Sequence, residues 1–149
     1  MNFGLAVNVS VEIRNRTQPI HSLSNDLEGY FKNRSYGLAI KSYTIGITCV
    51  SPQFDQFYKK ETKPKYTKGI KVINTDGIPF TLEDNFEYSI KIDYESFKNA
   101  NEQEAKKMLA KSILESLIVF EKMKSKIKDF DYLSFKADLE NYFLQHHLI

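Results

Sequence analysis

The chain has 149 residues, 42% of them hydrophobic and 27% charged, with a formal net charge of +2 and a mean hydropathy of -0.43. That length suits one domain, residues 1–149, burying roughly 70% of its unfolded surface without a disulfide or metal staple. The composition excludes extensive disorder, any apolar run of the roughly 20 residues that cross a bilayer, and, with Cys49 alone, an internal disulfide framework.

The N-terminus shows no basic stretch followed by a continuous apolar run, so no secretory signal is read there and the expected location is the cytoplasm. Lysine supplies nearly all of the positive charge, with arginine only at Arg14, Arg16 and Arg34. With abundant Asn, Ile, Phe and Tyr and no Trp, this is the residue usage of an AT-rich microbial genome.

Phe3, Leu5, Val7, Val9, Val11 and Ile13 alternate with mostly polar or small residues, which predicts a strand that buries one side. Thr17 to His21 read as a polar connection. Leu23, Leu27, Tyr30 and Phe31 recur at helical spacing, and Asn25 with Glu28 resembles a capping box for a short helix ending near Asn33. A second strand is expected over Ile40 to Val50. Ser51 and Pro52 can then open a helical turn carrying Phe54, Phe57 and Tyr58.

Lys59, Lys60, Lys63, Lys65, Lys68 and Lys71, against Glu61 alone, form a dense basic segment that starts as loop and becomes strand at Tyr66, Ile70 and Val72. Asp76-Gly77 signals a turn, and Pro79 limits Ile78 to Leu82 to a short edge strand. Glu83, Asp84 and Asn85 lead into a strongly alternating strand from Phe86 to Tyr94. Beyond Ala100 the period lengthens. Asn101 with Glu104 caps a long helix whose inner face carries Leu109, Ile113, Leu117, Phe120 and Ile127, widened by Leu114 and Ile118. After Asp129 to Asp131, a last amphipathic helix presents Phe135, Leu139, Tyr142 and Phe143.

The expectation is an α+β two-layer sandwich, with a mostly antiparallel or mixed four- to five-stranded sheet and helices on one face. The other face should stay open, presenting Gly4, Ala6, Asn8, Ser10, Thr44, Gly46, Thr48, Glu87, Ser89, Lys91 and Asp93.

Catalytic and metal signatures are missing from the sequence, and no cofactor is expected. His21, His146 and His147 have no metal-ligand spacing, and Cys49 falls on an inward strand parity where a thiol packs as a small hydrophobe. No nucleophile elbow, phosphate loop or dinucleotide motif is present. The basic segment flanked by Tyr58 and Tyr66 offers phosphate-seeking charge and stacking rings, so a nucleic-acid-binding module is the alternative reading. Its plainer role is to guard a sheet edge with lysine. An uncharacterised enzyme ranks third.

The size, the element order and the stretches SPQFDQFYKK, KPKYTKGIKVI and DGIPFTLEDNFEYSIKIDYESF make the chain resemble small bacterial immunity proteins of polymorphic toxin systems. The likeness is one of general style over most of the chain. It carries no diagnostic motif, and no functional residue is transferred through it. It implies a non-enzymatic protein that binds and occludes a cognate toxin. Inhibitors of nucleases often present strongly acidic surfaces, whereas this chain is slightly basic, so either its acidic turn is locally concentrated or the toxin is not a basic nuclease. Exposed aromatics and opposite charges single out Phe57, Tyr58, Lys59, Lys60, Lys63, Lys65, Tyr66 and Lys68, with Glu83, Asp84 and Glu87, as the expected partner-binding surface.

Overall fold

A computed structural model describes residues 1–9, 11–37, 40, 42–53, 65–67, 71–73, 79–81, 85–123 and 129–149. Its elements in chain order are β1 (Asn2–Val9), α1 (Gln18–Phe31), β2 (Ser42–Cys49), β3 (Lys65–Thr67), β4 (Lys71–Ile73), β5 (Pro79–Thr81), β6 (Asn85–Lys91), α2 (Tyr94–Asn99), α3 (Glu102–Met123) and α4 (Tyr132–Gln145). A 3-10 segment, Val11–Arg16, joins β1 to α1.

The strand order is β1-β2-β6-β3, with β4 and β5 forming a separate pair. β1 runs parallel to β2, and β2 parallel to β6. This corrects the expected mostly antiparallel or mixed sheet of four to five strands. Among the described residues the body of the sheet is three long parallel strands, and antiparallel pairing is seen only in three-residue segments, β3 on β6 and β4 on β5. The class remains α+β, with four α-helices among the described residues. Alternation points to the wrong strand direction because a one-sided pattern usually marks an antiparallel sheet, parallel sheets being commonly covered on both faces.

Register explains the core. Phe3, Tyr43 and Phe86 are successive partners across the three parallel strands. Their rings form a stacked row, with centroids 5.7 Å apart for Phe3 and Tyr43 and 5.2 Å for Tyr43 and Phe86. Phe31 of α1 stacks on Phe3 at 5.1 Å, and Phe135 of α4 meets Tyr43 at 4.8 Å. Leu109 and Ile113 of α3 and Leu139 of α4 complete the same buried cluster with Leu5, Ile45 and Ile47. Among the described residues, the helices therefore converge on one side of the sheet. On the other side Ala6 is exposed, and Gly4, Thr44, Gly46, Ser89 and Lys91 are half-buried. Thr48, expected there in solvent, is buried.

Local chemistry sets the boundaries. β1 stops at Val9, earlier than its alternation predicts, and Ile13 reaches the core from the 3-10 segment instead. Pro19 lies in the first turn of α1, where a missing amide costs nothing, so the helix begins within the expected connection and Asn25 falls in its interior. Ser24 accepts the Leu5 N–H through its hydroxyl at 3.0 Å, closing part of the free edge of β1. The last alternating strand ends at Lys91 because Asp93 caps α2, its carboxylate accepting the Ser96 N–H at 2.9 Å and the Ser96 hydroxyl at 2.8 Å.

The expected capping box of α3 is present. Glu104 N–H donates to Asn101 Oδ1, and Asn101 N–H donates to Glu104 Oε2, each at 2.9 Å. Leu109, Ile113 and Leu117 are buried as expected, but Ile118 is 57% exposed and does not widen the stripe. All four inward residues expected on α4 are buried. Phe54, Asp76-Gly77 and Ile127 lie outside the described residues.

Candidate protein interface

Of the residues singled out for partner binding, Phe57, Tyr58, Lys59, Lys60, Lys63, Lys68, Glu83 and Asp84 lie outside the described residues. The backbone places the other three together. Lys65 in β3 is the register partner of Glu87 in β6, and Tyr66 pairs with Phe86. The strand that carries Lys65 and the strand that carries Glu87 thus adjoin at one margin of the sheet.

That pairing lies toward the amino end of the parallel strands, since Phe86 is also in line with Tyr43 and Phe3. At the same end, residues after α1 are sewn to those just before and within α4. Asp131 N–H donates to the Tyr36 carbonyl at 2.7 Å, and the Tyr36 hydroxyl donates to Asp138 Oδ2 at 2.5 Å. Gly37 holds φ +111°, and a Cβ there would sit 2.2 Å from the Asp129 carbonyl oxygen, so this approach requires glycine. Burial, reinforced by the bond to Asp138 and its negative charge, pushes the Tyr36 phenol well above its ordinary range, so it serves as a donor at every physiological pH.

Arg34 crosses this junction. Its Nε donates to the Tyr30 carbonyl at 3.2 Å, its Nη1 to Asp138 Oδ2 at 3.3 Å, and its guanidinium lies 4.2 Å from the centroid of the Tyr30 ring. The Met1 ammonium donates to the carbonyls of Phe31 and Arg34. Tyr30 is fixed in turn by edge contacts with Phe31 and Tyr142, both at 5.1 Å. Sequence reasoning missed this cluster because Arg34 and Asp138 are 104 positions apart. Its one faint signal is Arg34 itself, one of three arginines in a chain that mostly uses lysine.

The carboxyl end of the sheet offers less chemistry. A cleft of about 360 Å³ there is lined by Val50, Pro52, Lys91, Ile92, Asp93 and Tyr94. Nearby Cys49 is buried, and desolvation, with help from the charge of Asp93, pushes its thiol up to about 12. Hydrogen bonds from the Ser96 amide and hydroxyl hold the Asp93 carboxyl below its usual range, so it serves as a helix cap and an anion, not as a base for the thiol. Among the described residues no group of three His, Cys, Asp or Glu side chains is placed to hold a metal ion, and no helix is long and apolar enough to cross a membrane.

The sequence pattern of the family described as Immunity protein 44 matches residues 1–145. No curated protein and no solved structure matches closely enough to add to that likeness. The match spans nearly the whole chain and bears out the resemblance to immunity proteins of toxin systems: the chain belongs to the Immunity protein 44 family.

Proposed function

We propose that this immunity protein acts in the cytoplasm, without turnover, by binding a cognate toxin and covering the surface through which that toxin works. The family match over residues 1–145 carries this reading. The proposed contact comprises Phe57, Tyr58, Lys59, Lys60, Lys63, Lys65, Tyr66 and Lys68 together with Glu83, Asp84 and Glu87. It is supported by the Lys65–Glu87 register, which joins segments of opposite charge. Large rings supply anchoring area and the charges supply orientation.

The test is co-expression with candidate toxin domains taken from the genes that neighbour this chain's own. Wild-type chain should protect the cells and co-purify with the toxin. A triple variant carrying Tyr58→Ala, Lys60→Ala and Tyr66→Ala should keep its fold and lose much of the protection. Full protection by that variant would move the contact elsewhere, and turnover of a small substrate by the purified chain would reject the non-enzymatic premise.

A further inference from the structure

We propose that the outer side of α4 is a docking surface for a second copy of this chain, the two helices packing antiparallel about a two-fold axis. This pairing does not depend on toxin binding. Leu133 and Leu144 are 72% and 58% exposed, the most exposed large hydrophobic residues among those described. Neither serves the core, because the inward side of α4 is already filled by Phe135, Leu139, Tyr142 and Phe143. At 3.6 residues per turn Leu133, Ala137, Glu140 and Leu144 fall on one stripe, its leucines roughly 16 Å apart. Lys136 lies along the Glu140 margin of that stripe and Asn141 along the Ala137 margin. Ala137 and Asn141 are exposed, and Lys136 and Glu140 are half-buried.

The stripe is its own complement. A two-fold axis level with Asp138 and Leu139 sets Leu133 against Leu144 of the second copy at both ends. The rotation keeps each margin on its own side, so Lys136 faces Glu140 of the second copy, twice, and Ala137 faces Asn141. Neither Lys136 nor Glu140 has an ion-pair partner among the described residues, although they stand four positions apart on one helix. Both charges are therefore available across the axis. A parallel pairing would turn the charged margin toward the Ala137 margin and leave both charges without an opposite one, which selects the antiparallel sense. That sense also sets each helix terminus against the opposite pole of the second helix. Ala137 adds little bulk near the middle and lets the axes approach to about 8 Å. The formal net charge of +2 opposes the meeting of two copies only weakly. A helix of 14 residues, about 21 Å long, covers less than the roughly 800 Å² per partner of a standard interface, so the dimer is weak, with a Kd of about 100 μM.

The probe is the purified chain itself, followed by sedimentation velocity from about 5 μM to about 1 mM, a range that brackets the expected Kd. The mean mass should rise from 17.4 kDa toward twice that value. Leu133→Lys and Leu144→Lys should each weaken self-association by about tenfold or more, while thermal unfolding matches wild type because both side chains face solvent. Lys136→Glu and Glu140→Lys should each weaken it by about fivefold, by setting like charges face to face, and the double variant should restore it. A chain that stays at 17.4 kDa through the highest concentration would overturn the pairing, as would an unchanged Kd in the two leucine variants. Failure of the double charge variant to restore association would overturn the antiparallel register. A monomeric wild type whose leucine variants lose protection on co-expression would assign this side of α4 to the toxin instead.

Discussion

The two faces of the sheet are built from different residues at the same backbone register. Toward the helices, Phe3, Tyr43 and Phe86 line up across the strands and are packed by Phe31 and Phe135. Away from them, Ala6, Gly46 and Ser89 occupy one row. A parallel sheet thus needs no apolar residues on both sides when its helices gather on one. The alternating pattern reports which face is covered, and the connections determine strand direction: α1 lies between β1 and β2, and a 35-residue interval separates the end of β2 from the start of β6.

The sharpest way to break the contrast is to remove a ring from the covered face. Phe135→Ala should cost about 3–5 kcal/mol in denaturant unfolding, because it empties a site bordered by Phe3, Phe31 and Tyr43. A loss near zero would mean the aromatic row is not the core. Gly37→Ala should cost about 1–3 kcal/mol, since its positive φ and the Asp129 carbonyl both resist a side chain.

The open face should be far more tolerant. At Gly46 a Cβ would come 2.6 Å from Ser89 Oγ, the end of a side chain that can turn aside, so Gly46→Ala should cost less than about 1 kcal/mol. At Gly4 nothing lies within 4 Å, and Gly4→Ala should be neutral or stabilising by up to about 1 kcal/mol through the unfolded chain. A large loss at Gly4 would show that this face is packed against something.

Cys49 probes the covered face by titration. Burial raises its folded pKa to about 12, above the roughly 8.5 of an exposed thiol, so the folded chain holds this proton more tightly than the unfolded chain. That contribution to stability is fully present below about pH 8.5 and fades as pH rises toward 12. At pH 8, alkylation by iodoacetamide should be slow in the native chain and fast in denaturant. Equal rates would place the thiol in solvent.

Much of the covered face was legible in the sequence. Leu109, Ile113, Phe135 and Leu139 betray their burial by helical spacing, and Asn101 with Glu104 announce the start of α3 three residues apart. Strand direction was not legible, because Leu5 and Ile45 alternate identically in either orientation. Tyr94 continues the parity of β6, which predicts strand, but the Asp93 cap turns it into α2. The candidate interface was half visible: Lys65 and Glu87 carry conspicuous local charge, whereas Arg34, Tyr36 and Asp138 become neighbours only when α4 closes on the turn after α1.

Stoichiometry tests the central claim most directly. Purified chain is titrated into a fixed amount of the toxin domain against which co-expression protects, while the toxin's activity is followed. Inhibition by occlusion predicts a linear decline that reaches completion at an equimolar ratio, with activity restored when the complex is separated. Complete inactivation by a small molar fraction of the chain, persisting after its removal, would contradict the account.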